Sequence, residues 1–123
     1  MTHRWDDNQP IYWQLRQQTV ASILDGSLRE GDALPSVRQV AAEFQINPLT
    51  VSRAYQLLAD EGLVEKRRGV GLFVTEGARK RLTGLEREKF LHEEWPRIIE
   101  RIEALGLDPA QLINKHNKTN QGG

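Results

Sequence analysis

The chain has 123 residues, of which 28% are charged, 38% are hydrophobic and none is cysteine. That length suits one compact domain with a modest core plus a small cluster of helices, not an enzyme with a separate substrate domain. Without cysteine there is neither a disulfide framework nor a thiolate metal site. Basic and acidic residues number 17 each, yet a neutral total can conceal a basic face. Over 66–81 six basic residues, Lys66, Arg67, Arg68, Arg79, Lys80 and Arg81, face one acid, Glu76. The N-terminus is polar and no segment approaches the length of a bilayer span, so a cytoplasmic protein with no membrane partner is expected.

Asn8-Gln9-Pro10 opens a helix predicted to run to about Asp25, with Asn as the cap and Pro in the first turn, where backbone N–H groups lack internal partners. Ile11, Tyr12, Leu15, Val20, Ile23 and Leu24 mark its apolar face, and Gln14, Arg16, Gln17 and Gln18 its polar face. Gly26-Ser27 ends it. The connector 28–35 carries the turn formers Gly31, Asp32 and Pro35, and its Leu28 and Leu34 tack it to the core. Ser36-Val37-Arg38-Gln39 spells a capping box. Helix two turns Val37, Val40, Ala41 and Phe44 inward, and Gln45-Ile46 follows as a tight turn.

Asn47-Pro48 starts a third helix that continues to Glu61 and stops at Gly62. Val51, Ala54, Tyr55 and Leu58 recur at i, i+3, i+4 and i+7 and define its core face. Residues 63–67 and 72–75 are strand-like and are joined by Arg68-Gly69-Val70-Gly71, which predicts a glycine-tipped hairpin. A lone hairpin is marginal in water, so it must lean on the helices through Leu63 and Phe73, with Val64 or Val74 as a further anchor.

Beyond Arg81 the chain is helical again. Leu82, Leu85, Phe90 and Leu91 lead into Trp95, Ile98, Ile99, Ile102 and Leu105 at helical spacing, with Pro96 predicting a kink or break near 92–95. Asp108-Pro109 caps a last short helix through about Ile113, and the polar remainder is expected to be disordered. The fold class is mainly α with a small β-hairpin. Its expected parts are a winged helix-turn-helix over 1–76, a helical dimerisation region over 77–113 and a tail over 114–123.

A helix-turn-helix sets its second helix in the major groove, N-terminal end first. Here that end offers Asn47, Thr50, Ser52 and Arg53 for base edges or phosphates, and Leu49 for a thymine methyl. Ser36 and Arg38 stand at the start of the bracing helix. Lys66, Arg67 and Arg68 beside Gly69 form a wing whose glycine lets backbone approach the minor groove. A Lys-Arg-Arg run alone is usually a solvated face, and two short helices with a tight turn are common. Both in the correct order, joined by Gly62, point to double-stranded DNA. The stripe Leu82, Leu85, Phe90, Leu91, Trp95, Ile98, Ile99, Ile102 and Leu105 is a packing seam rather than a ligand pocket. A second copy would cover it, giving a two-fold dimer matched to a palindromic operator.

The residues that carry a family resemblance lie within 10–74. They are Pro10-Ile11-Tyr12, Gly31-Asp32 before Leu34-Pro35-Ser36, Arg38, Asn47-Pro48-Leu49-Thr50-Val51-Ser52-Arg53-Ala54-Tyr55, Glu61-Gly62-Leu63-Val64 and Arg68-Gly69-Val70-Gly71-Leu72-Phe73-Val74. Here the chain resembles the GntR family of bacterial transcription regulators, and its short C-terminal region is similar to that of the YtrA subfamily. The resemblance implies a dimeric repressor of its own operon and neighbouring transporter genes. It matches Arg38, Thr50, Arg68 and Gly69 to family positions that contact DNA. Ser52 stands where many relatives have arginine, and Leu49 where they have a polar residue.

Two other classes fit these residues less well. For an enzyme, His3, His92 and His116 are scattered, with no paired carboxylates or phosphate loop beside them, and no cofactor or metal is expected. A winged helix used only for protein contacts would lack the basic wing and the short polar start of helix three. The expected partners are a DNA operator and a second copy, with room left for a small-molecule effector of unassigned chemistry.

Overall fold

The computed structural model describes residues 5–121; His3, Gly122 and Gly123 lie outside them. The described residues form two compact units that divide between Thr83 and Gly84. In the first, α1 spans Ile11–Asp25, α2 Val37–Phe44 and α3 Pro48–Asp60, followed by strands β1 Val64–Arg67 and β2 Gly71–Val74 and the first turns of α4, Ala78–Lys89. This is a winged helix-turn-helix.

Local chemistry sets most boundaries. At the start of α1 the expected Asn8 cap is replaced. Asn8 donates its backbone N–H to Asp6 at 2.9 Å, while the Gln14 amide donates to the carbonyls of Asp6 at 2.6 Å and Gln9 at 2.8 Å. Its oxygen accepts from the Asp6 N–H at 2.8 Å, so a side chain of the helix folds back to hold its own entry. At the far end the Asp25 carboxylate accepts from the hydroxyl and N–H of Ser27, which hold its pKa below the ordinary carboxylate value. The predicted capping box is present: the Gln39 N–H donates to the Ser36 hydroxyl at 3.1 Å, and the Ser36 N–H to the Gln39 side chain at 3.0 Å. Asn47 caps α3 by accepting from the Leu49 N–H at 2.9 Å, and Gly62, at φ 75°, turns the chain out of it.

The hairpin pairs Val64 with Val74, Glu65 with Phe73, Lys66 with Leu72 and Arg67 with Gly71. It does not stand alone. The Gly31 N–H donates to the Val74 carbonyl at 2.9 Å, the Val74 N–H to the Asp32 carbonyl at 2.9 Å and the Leu34 N–H to the Leu72 carbonyl at 2.8 Å, while Ala33 bridges Phe73. The connector before α2 thus pairs with the outer edge of β2, relieving the weakness of a two-stranded sheet.

Ile23, Val51, Leu58, Leu63, Val74, Ala78 and Leu82 lie at the centre of the core. Two expectations change here. Ala78 and Leu82, one turn apart on α4, are fully buried, so the first unit extends beyond residue 76 and Leu82 is no part of an outward seam. Arg16, expected on the polar face of α1, is also buried. Its Nε donates to Glu61 at 2.9 Å, a second guanidinium nitrogen pairs with the other carboxylate oxygen, the third nitrogen donates to the Gln17 side-chain oxygen, and the guanidinium carbon lies 4.8 Å from the Trp13 ring centre. This forked pair ties α1 to the C-terminal end of α3.

In the second unit α4 runs into a π-helical turn, Phe90–Glu94, followed by α5, Trp95–Ala104, and α6, Pro109–Gln121. The disturbance predicted from Pro96 is that π turn. Proline has no N–H to continue the ladder, and the Trp95 N–H reaches back to the Phe90 carbonyl, five residues away. α6 continues to Gln121 where an end near Ile113 and a disordered tail were expected. The Asp108 carboxylate accepts from the Ala110 N–H at 3.0 Å, and neither Gly nor Pro interrupts 110–121.

Glu61→Ala would strand a buried guanidinium. It should lower stability by roughly 2–3 kcal/mol, somewhat less than for a wholly buried pair because Glu61 is partly exposed. The double variant Arg16→Leu/Glu61→Leu should recover most of that loss, and urea titration of the three proteins checks both expectations.

Candidate nucleic-acid interface

The presentation of α3 follows from what it buries. Val51, Ala54 and Leu58 are completely buried, with Tyr55 nearly so. The opposite side of the helix therefore faces outward, and it carries Leu49, 76% exposed, with Ser52 and Arg53 exposed and Thr50 half-buried. Asn47 spends its side-chain oxygen on the cap, which leaves its NH2 group to donate.

The start of α2 is pinned to α3 by one hydrogen bond, from the Tyr55 hydroxyl to the Pro35 carbonyl at 2.8 Å. Burial pushes the pKa of that phenol up to about 12. Directly after Pro35, the Ser36 hydroxyl accepts from Gln39, so its own proton remains available to a phosphate. Arg38, in the first turn, is exposed.

The wing is a tight turn closed by the Val70 N–H on the Arg67 carbonyl at 2.9 Å. Gly69, at φ 76°, takes the third position, where a type II turn requires a left-handed residue. Nothing lies within 4 Å of where its Cβ would stand, so the demand for glycine is conformational rather than steric. Arg67 packs over the Phe73 ring at 4.3 Å and has a nitrogen 3.7 Å from Glu65. Lys66 and Arg68 are exposed and form no ion pair among the described residues. Val70, outside the set of site residues expected from the sequence, is 68% exposed at the tip. A groove lined by Pro35, Ser36, Val37, Gln39, Val70 and Gly71 runs between the wing tip and the start of α2.

The fold therefore brings Ser36 beside Val70 and Gly71 at the wing tip, and packs α2, which carries the exposed Arg38, on α3 with its exposed residues Asn47, Leu49, Ser52 and Arg53. The basic run of the sequence divides between two jobs. Arg79 donates to the Leu24 carbonyl at 3.2 Å, and Arg81 donates to the Gly62 carbonyl at 2.7 Å and the Thr75 hydroxyl at 2.9 Å. Both brace the fold; sequence proximity grouped them with the wing, and only their partners separate them.

Residues 11–74 match the sequence family described as bacterial regulatory proteins, gntR family. The chain belongs to that family. Among its relatives, the HTH-type transcriptional regulator YhcF of Bacillus subtilis is 30% identical over the full length of both chains. The HTH-type transcriptional repressor YtrA of the same organism is 45% identical over 73 residues, 59% of this chain and 56% of YtrA. A solved GntR family transcriptional regulator from Listeria monocytogenes aligns over 93% of this chain and 98% of its own, at TM-score 0.72 and 29% identity. This GntR protein is a DNA-binding transcriptional regulator built on a winged helix-turn-helix, and its relatives are regulators rather than enzymes.

Tyr55→Phe removes the bond that seats α2 and should lower stability by about 1 kcal/mol. Because the folded phenol titrates near 12, above its ordinary value of 10.0, the neutral form favours the fold. That contribution is complete below pH 10 and is lost as pH rises toward 12. Alkaline unfolding monitored by circular dichroism should therefore show a smaller loss of stability over that interval in Tyr55→Phe than in the parent.

Proposed function

We propose that this regulator acts as a homodimeric repressor in the cytoplasm, binding a palindromic operator and controlling its own operon with neighbouring transporter genes. Each copy would lay the N-terminal end of α3 in a major groove, with Arg38 at the groove edge and the wing at the adjoining minor groove. The observation that carries the DNA geometry is the capped, outward-facing start of α3, on a helix that leads through Gly62 into an arginine-bearing wing whose Arg68 and Lys66 are exposed.

Dimerisation through the second unit is supported by its uncovered apolar surface. Leu85, Phe90, Leu91, Ile98 and Leu105 are exposed, and Trp95, Ile99 and Ile102 are half-buried. Leu107, Leu112 and Ile113 extend the set beyond the residues picked out by sequence. A chain of this size rarely leaves so many large apolar side chains in water unless another surface covers them. The same surface on two copies gives the two-fold symmetry that a palindrome requires. Repression is the activity named for YtrA. A third partner, a small-molecule effector, has no chemistry assigned to it in this reading.

The alternative, a winged helix for protein contacts alone, gains nothing from exposed arginines at a positive-φ turn. Duplexes selected from random-sequence DNA by the full chain would define the operator. Arg68→Ala should then weaken binding on every selected sequence and reduce the slope of log affinity against log salt by about one, as loss of one phosphate contact does. Leu49→Asn should instead change preference at one base pair. Replacing the corresponding thymine by uracil should weaken the parent and leave the variant unchanged, since only the methyl is removed. Separately, Ile98→Asp with Ile102→Asp should convert a dimer to a monomer in sedimentation and abolish high-affinity binding to the palindrome while leaving thermal unfolding of the first unit intact.

A further inference from the structure

Among the arginines of the first unit, Arg53 has an unusual setting. Its guanidinium carbon lies 3.9 Å from the centre of the Tyr12 ring. No carboxylate or carbonyl among the described residues accepts from it. Arg16 shows the contrast, because its donors are consumed by Glu61 and Gln17. A guanidinium stacked through its face keeps its N–H groups in the plane, pointing away from the ring. The cation is therefore located while its donors are unspent.

Tyr12 is suited to locating it. It is half-buried in the first turn of α1 and packs against the core, and α1 lies against α3. Arg53 follows Leu49 by four residues, so the two share the outward face of the helix. A long arginine side chain on an exposed helix otherwise samples many rotamers, which must be ordered on binding. Arg67 on Phe73 has a similar stack, but there the Glu65 carboxylate is nearby and competes for the cation.

We infer that Tyr12 is a positioning residue for DNA recognition: its ring pre-orders the Arg53 guanidinium on the outward face of α3 for a forked contact with the operator. The inference rests on the assignment of α3 as the groove-entering helix. Tyr12 acts through Arg53 and need not touch DNA itself.

The test uses the full chain and a duplex that the unsubstituted protein selects from random-sequence DNA. Tyr12→Phe, Tyr12→Leu, Arg53→Ala and the double variant Tyr12→Leu/Arg53→Ala are compared, each well below its thermal midpoint. Tyr12→Phe keeps the ring and should bind within two-fold of the parent. Tyr12→Leu should bind roughly two- to five-fold more weakly, the range of an exposed cation–π contact. In the Arg53→Ala background the Leu substitution should cost nothing further, whereas a merely structural role would lower affinity equally in both backgrounds. Loss in Tyr12→Phe equal to that in Tyr12→Leu would assign the effect to the hydroxyl and overturn the inference. So would parent-like binding by Tyr12→Leu while Arg53→Ala is weakened. Parent-like binding by Arg53→Ala would remove Arg53 from the interface and the inference with it, and failure of the parent to retain any duplex would overturn the groove assignment itself.

Discussion

The rotation of α3 about its own axis is the constraint on which the rest of this structure depends. Val51, Ala54 and Leu58 are wholly buried, and turning the helix by even one residue would drive one of them into water while forcing Ser52 or Arg53 into the core. The other contacts of the helix maintain that setting. The Tyr55 hydroxyl holds the Pro35 carbonyl, Glu61 beyond its C-terminus holds Arg16 of α1, and Gly62 lets the chain leave directly into the hairpin. The outward face of α3 cannot drift, because it is defined by its buried opposite.

The arginines divide according to what takes their N–H groups. Arg16, Arg79 and Arg81 donate to protein oxygens, to Glu61 and Gln17, to Leu24, and to Gly62 with Thr75. They are parts of the scaffold. Arg53 and Arg67 are held by aromatic faces, through Tyr12 and Phe73, an arrangement that restrains the cation without using up its donors. Arg38 and Arg68 are exposed. Net charge conveys none of this, since a guanidinium satisfied by a backbone carbonyl counts the same as one facing solvent.

In the second unit one missing N–H has a visible result. Pro96 cannot donate to the turn before it, and the helix widens over Phe90–Glu94 so that Trp95 bonds to Phe90. Phe90 and Trp95 come to lie with ring centres 6.2 Å apart, on the stretch whose apolar side chains remain uncovered within the chain. A regular α-helix would pair these residues differently, so the proline shapes this apolar surface.

The sequence by itself determined the elements whose causes are local. The capping box at Ser36, the Asn47-Pro48 start, the Gly62 stop, the positive-φ turn at Gly69 and the four-residue core face of α3 each depend on neighbours within a turn or so, and each is legible from spacing and residue type. It also specified the outward set of α3, because a helix with one buried face leaves no choice about the other. Only the tertiary structure decided what depends on distant partners. Arg16 looks like an ordinary polar-face residue until Glu61, 45 positions away, arrives beside it. Leu82 looks like the first residue of a seam until it is buried with Ala78 in the core that the three helices and the hairpin build. Residues 31–34 look like a loop until β2 presents an edge. Tyr12 looks like one more apolar position until Arg53 lies across its ring. In each case the residue type is compatible with two environments, and the free energy that selects between them comes from a group that sequence spacing does not reveal.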